Sequence, residues 1–161
     1  MALPMITAIR HVVSLFWLIA GFSLSAAITG TVLERQDLIV GTAAPLTSAS
    51  LTGGVVEQPL CTIAEQSNSG SGYTVTLESA NAGSGNSFKL VGTTAGNEVS
   101  YQMSYGGSPV TLASGKAVIT DSAKKNPKAG ISRKLSITIP ADQNPPSDTY
   151  SDVLTLTLSA K

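Results

Sequence analysis

Along an extended chain, side chains alternate faces with period two, and that period recurs through this sequence. Over 73–78, Tyr73, Val75 and Leu77 fall on one face and Thr74, Thr76 and Glu78 on the other. Over 98–105, Val99, Tyr101, Met103 and Tyr105 oppose Ser100, Gln102 and Ser104. Over 133–140, Leu135, Ile137 and Ile139 oppose Lys134, Ser136 and Thr138. The run 150–159 sets Leu154, Leu156 and Leu158 against Val153, Thr155, Thr157 and Ser159. Shorter runs at 55–64, 88–91, 110–113 and 117–120 add strands, with Pro59 marking a bend or an edge inside the first. Gly, Asn, Ser and Pro fill the intervals at 67–72, 80–87, 92–97, 106–107 and 141–147, as turns require. No stretch beyond residue 28 keeps a helical period over three turns. Short strands between such turns predict an all-β sandwich.

The N-terminal part follows other rules. Arg10 and His11 precede an apolar run over 12–24, and Ser25-Ala26-Ala27 follows. Charge, a short apolar stretch and small residues, in that order, predict a cleaved signal peptide over 1–27 and Ile28 as the first mature residue. The run is shorter than the roughly 20 residues of a spanning helix. Over 28–42, Ile28, Gly30, Val32, Leu38 and Val40 share one parity, interrupted by Glu34 and Gln36. Two short strands, near 28–33 and 37–42, fit this better than one. Residues 43–54, with Pro45 and Gly53-Gly54, read as a loop or a weak edge strand.

Composition narrows the chemistry. Without Arg10, nine Lys and Arg face ten Asp and Glu, a formal charge of −1 that favours neither nucleic acid nor an acidic lipid surface. Lys124, Lys125 and Lys128 surround Pro127 in a stretch that reads as a solvated loop. Trp17 and His11 are the only residues of their types, and both leave with the signal. No His-based triad or His-containing metal site is then possible. Cys61 is the single cysteine, read as a buried thiol in preference to an intermolecular bridge. Gly83-Ser-Gly85 lacks the Lys-Ser/Thr of a phosphate loop. Asp148 and Asp152 are the nearest carboxylate pair, but they flank Tyr150 at a strand entrance. Tyr73, Tyr101 and Tyr105 share parity with core residues and do not read as a sugar platform. The expectation is no enzyme, no cofactor, no catalytic residue and no metal.

Several pieces in sequence carry a resemblance. Cys61-Thr-Ile, a Ser/Gly turn, Tyr73-Thr-Val-Thr-Leu and Val99-Ser-Tyr-Gln-Met-Ser-Tyr come first. Leu135-Ser-Ile-Thr-Ile-Pro and Asp148-Thr-Tyr-Ser-Asp-Val-Leu-Thr-Leu-Thr-Leu follow. Over about 55–161 this order resembles the spore coat protein U family, which includes pilin subunits of archaic and related chaperone–usher pili. The resemblance implies an immunoglobulin-like β-sandwich lacking its seventh strand, with a groove along the last strand. It implies that a periplasmic chaperone fills the groove first, and that the N-terminal segment of the next subunit replaces it at an outer-membrane usher. Strand addition of this kind uses an exposed sheet edge. Residues 28–42 would then be the donor segment, with Ile28, Val32, Leu38 and Val40 as inserting side chains, or only 28–33 if Glu34 ends it. Residues 43–161 would form the pilin domain, with Tyr150, Leu154, Leu156 and Leu158 lining the acceptor groove. Many relatives pair an early-strand cysteine with the Cys61 position, and that partner is absent here.

The expected function is a structural fimbrial subunit, secreted through the periplasm to the cell surface and partnered by chaperone, usher and neighbouring pilins, not nucleic acid. A tip adhesin binding through loops 79–87 or 121–132 is the nearest alternative. A monomeric carbohydrate-binding β-sandwich with a complete fold is another.

Overall fold

A computed structural model describes residues 31–161 except Ala43, Pro45, Thr47 and Asp142; for Ser48, Ala49 and Ser50 it describes the backbone alone. The expected signal peptide and Ile28 lie outside the described residues.

Although Ser136, expected on an outward face, is buried, the alternating runs become strands with the expected apolar residues inward. They are β1 (Gln36–Val40), β2 (Val55–Ser67), β3 (Tyr73–Ser79), β4 (Phe88–Gly92), β5 (Glu98–Tyr105), β6 (Ser108–Val110), β7 (Lys116–Ser122), β8 (Ile131–Ile139), β9 (Tyr150–Ser151) and β10 (Leu154–Ala160). In β3, β5 and β8 every apolar residue named above is buried. Thr74, Thr76, Ser100 and Gln102 remain at least partly exposed on the other faces. Two antiparallel sheets result. One has seven strands in the order β1-β2-β8-β5-β4-β9, with β6 also paired to β5; the other has three, β10-β3-β7. The core between them contains Ile63, Leu77, Leu90, Val99, Met103, Leu135 and Ile137. The architecture is an all-β, immunoglobulin-like sandwich.

Some details differ from expectation. Residues 31–33 are not strand, and β1 covers 36–40 in place of 37–42. Residues 43–54 include a one-and-a-half-turn helix, α1 (Ser48–Gly53), whose Leu51 packs on the core. Pro59 lies between two register shifts in the β2–β8 ladder, since it has no N–H to give that ladder. The strand expected over 110–113 is displaced to β6, leaving Leu112 buried in a connection. Cys61 is a half-buried free thiol packed against the core; burial raises its pKa.

The interior also holds a charge. Glu65 follows Ile63 on the inward face of β2 and is fully buried. Its Oε1 accepts hydrogen bonds from the Tyr105 hydroxyl at 2.6 Å and the Thr120 hydroxyl at 2.7 Å, and its Oε2 from the Tyr73 hydroxyl at 2.9 Å. The Arg133 guanidinium stands 3.7 Å away, within ion-pair range but beyond a hydrogen bond. Asn126 closes the network, its Nδ2 donating to the Glu65 carbonyl and to the Tyr73 oxygen. One carboxylate thus ties β2, β5 and β8 of the large sheet to β3 and β7 of the small one. Burial, with Glu65 as acceptor and as nearby negative charge, pushes Tyr73 and Tyr105 above the ordinary tyrosine range.

Candidate functional site: a cleft beside the open edge of the small sheet

Residues 150–159 were expected to form one strand. They form two, in different sheets. β9 pairs with β4 through Val91↔Ser151 and Gly92↔Tyr150, at the edge of the large sheet. β10 pairs with β3 from Leu154↔Ser79 to Ala160↔Tyr73, at the edge of the small one. Asp152 anchors the crossing between them. Its carboxylate accepts from the Ser79 hydroxyl at 2.7 Å, the Tyr101 hydroxyl at 2.5 Å and the Asn81 amide at 3.2 Å. The Asn81 side chain in turn donates to the Ser151 carbonyl at 2.6 Å.

The far edge of β10 has no strand partner among the described residues. Main-chain parity shows what it presents. The Val153 carbonyl and the Lys161 amide bond toward the β3 side, to Ala80 and Gly72, while the Ala160 amide points away to the side chain of Gln36. Successive residues of a strand alternate in direction. The N–H and C=O groups of Leu154, Leu156 and Leu158 therefore face the open edge. Their side chains are turned toward the core but only half-buried, in a strand whose exposure alternates along its whole length.

Part of the large sheet's inner face stays open beside Leu154, mainly apolar but with Ser151 and Asp152 at its side. A cleft of about 290 Å³ lies there, with Leu46, Leu60, Leu90, Ile137, Tyr150 and Leu154 among its lining residues. Tyr150 is fixed by its hydroxyl, which donates to the Pro146 carbonyl at 2.8 Å. Of the expected acceptor residues, Tyr150 and Leu154 line this cleft; Leu156 and Leu158 continue along the edge beyond it. Of the expected donor residues, Val32 is 87% exposed, and Leu38 and Val40 lie in β1 on the chain's own β2. Leu38 packs on the core. Val40 sits opposite fully buried Ile63 yet is 54% exposed, so the inward face of β1 is uncovered at that end.

The family model for the Spore Coat Protein U domain matches residues 23–157 of the 161. The chain belongs to this family. Spore coat protein U domains are a family of fimbrial, pilin-type subunits. No curated protein matches the chain.

In this spore coat protein U domain, the two aspartates read as a carboxylate pair serve separate loops. Asp152 holds the crossing. Asp148 binds the turn after β4: it accepts from the Thr93 hydroxyl, the Thr94 amide at 2.8 Å and the Asn97 side chain at 2.9 Å. Those bonds, the Thr93 one foremost, hold its pKa well below the usual carboxylate range. A depressed folded-state pKa adds stability that is fully present above the unfolded value and is lost progressively as pH falls from there through the folded value. Asp148→Ala should therefore be less stable than the parent near pH ~7, with the gap narrowed at pH ~3 and closing only as pH falls further through the folded-state value, as read by urea unfolding at pH ~7 and ~3. A gap of equal size at both would show that the carboxylate charge is not what holds the turn.

Proposed function

We propose that this domain is a structural pilin subunit that polymerises by donor-strand exchange. The segment preceding β1 of one copy is added to the open edge of β10 in the next. The observation that carries this is the coincidence, in Leu154, Leu156 and Leu158, of unpaired main-chain groups with half-buried apolar side chains beside an apolar cleft. An added strand would complete both at once: a ladder on the edge and a cover on the core. In cells a periplasmic chaperone would protect the edge until an outer-membrane usher presents it, and the fibre would lie on the cell surface. An adhesive role would be carried by the fibre's exposed loops.

Two defective chains test this together. Leu156→Asp places a charge in the acceptor and keeps the donor; deletion of 28–33 removes the donor and keeps the acceptor. Neither should form long polymers alone. Mixed, they should give a one-to-one dimer in size-exclusion chromatography, because one intact arm meets one intact cleft and growth then stops. No association on mixing, from folded chains, would sink the polymer reading in favour of a self-contained binding module.

A further inference from the structure

Resting on that reading, we infer that the two ends of the sandwich carry opposite charge and dock on each other: the lysine-bearing end of one copy meets the acidic end of the next. The partner of this surface is a second copy of the chain, and the charge match sets the direction in which copies add.

The ladders define the two ends. Ala160↔Tyr73 and Tyr73↔Ser122 close the small sheet at one end, and Leu154↔Ser79 and Glu78↔Lys116 at the other. The 68–72 turn joins Ser67 to Tyr73, so Gln36↔Ser67 lies at the first end and Val55↔Ile139, at the start of β2, at the second. At the first end the connection after β7 carries Lys124, Lys125 and Lys128, all exposed. Asn126 in their midst fixes them there. Its amide donates to the Ser67 carbonyl at 3.0 Å, and its Oδ1 accepts from the Ser67 amide at 2.6 Å. One residue on, Asn68 clasps the root of the arm. Its amide donates to the Arg35 carbonyl at 3.1 Å, and its Oδ1 accepts from the Arg35 amide at 2.6 Å. The lysines thus flank the point where the arm leaves the domain. Among the described residues no carboxylate pairs with them: Asp37 is taken by Arg35 and Asp121 by Lys161. Glu34, bonded to Gln36, offsets them only in part.

At the second end the balance reverses. Lys89 and Lys116 are already paired, with Glu98 and Glu78. Glu57, exposed near the start of β2, and Asp148 and Asp152 have no basic partner among the described residues. The arm brings these unlike ends together. Only Glu34 and Arg35 separate Leu33 from β1, and two residues reach at most about 7 Å. An arm running antiparallel to β10 leaves its neighbour beside Leu154, at the acidic end. The lysines of its own domain then lie near those acids on the scale of the Debye length, ~8 Å at physiological salt, where charges still act on each other. A parallel arm would leave beside Ala160 and set lysines against lysines. Single exposed pairs add little affinity, but complementary charge on facing surfaces raises encounter rates by about 10–1000-fold. The consequence is therefore a faster and directional addition step, weakened by salt.

The two defective chains that form a one-to-one dimer separate the ends, because each uses only one of them. Lys124→Glu, Lys125→Glu and Lys128→Glu are introduced together, either in the Leu156→Asp chain, which supplies the arm, or in the arm-deleted chain. Dimer formation is followed by stopped-flow light scattering at low ionic strength. In the arm-bearing chain the triple substitution should slow association about 10-fold or more, and high salt should erase the difference. In the arm-deleted chain it should change nothing. Lys124→Gln, Lys125→Gln and Lys128→Gln together should slow the arm-bearing chain less, and Glu57→Lys in the arm-deleted chain should restore part of the rate lost to the Glu version. Equal slowing in both chains, or none in either, would overturn the inference while leaving donor-strand exchange intact. So would binding to phosphatidylglycerol vesicles that the triple substitution abolishes while the dimer forms at its parent rate, since the lysines would then serve an anionic surface. An unsubstituted pair that does not dimerise would remove the exchange reading, and this inference with it.

Discussion

Glu65→Ala is expected to cost about 3–5 kcal/mol, a large fraction of the net stability of a domain of this size. The reason is the asymmetry of buried polar groups. The carboxylate is satisfied by three hydroxyls and faced by a guanidinium, so in place it costs little. Removed, it leaves the Tyr73, Tyr105 and Thr120 hydroxyls without their acceptor in the interior, each at about 1–3 kcal/mol if water does not reach them. Arg133 is partly exposed and can turn outward, which limits its share. Tyr105→Phe should therefore cost only about 1–2 kcal/mol, since Glu65 keeps two other donors. Urea unfolding of both variants makes the comparison. A Glu65→Ala cost no larger than that of Tyr105→Phe would mean that water enters the site.

The second large effect concerns the strand proposed to be added to β10. A chain lacking 28–33 at its start, with the same six residues grafted after Lys161 through a short Gly/Ser turn, should fold back antiparallel on β10 and complete its own sheet. Burying Ile28 and Val32 contributes about 1.5–3 kcal/mol each, an upper bound because unfolded chains are already partly collapsed. At about 4 °C per kcal/mol for a chain of this length, the melting temperature should rise by roughly 10–20 °C over the arm-deleted chain. The grafted chain should also stay monomeric. A graft carrying Ile28→Asp and Val32→Asp should give no rise. Equal stabilisation by both grafts would mean that the added residues act elsewhere than in the cleft.

Strands were legible wherever side-chain alternation alone decides the outcome. Tyr73, Val75 and Leu77, like Val99, Tyr101, Met103 and Tyr105, needed no knowledge of their partners to be placed inward. The edge role of β10 was not legible this way, since alternation is the same in a central and an edge strand; it came from the family resemblance alone. Glu65 was not, because a carboxylate at an inward position breaks the apolar pattern that marks a strand. The signal that could have found it was chemical: Tyr73 and Tyr105 on core faces carry hydroxyls that need an acceptor. The crossing at Asp152 was hidden too, since Tyr150, Leu154, Leu156 and Leu158 keep one parity straight through it. What breaks the strand is a set of partners, Ser79, Asn81 and Tyr101, distant in sequence. Pairing of β1 with β2 is likewise a long-range choice that period cannot express. α1 lies in a stretch whose Pro and Gly content resembles a loop.

The placement of Gln36 beside Ala160 has a mechanical meaning. In a fibre built by strand addition, a subunit is pulled through the arm on its β10 and through its own chain where Asn68 clasps Arg35. Those two points of attachment are the neighbouring edges β10 and β1. Tension then crosses each subunit along its rim, and the core of Leu77, Leu135 and Ile137 carries little of it. Such a filament should stretch by yielding first at the rim, with each domain's interior still folded and ready to recoil.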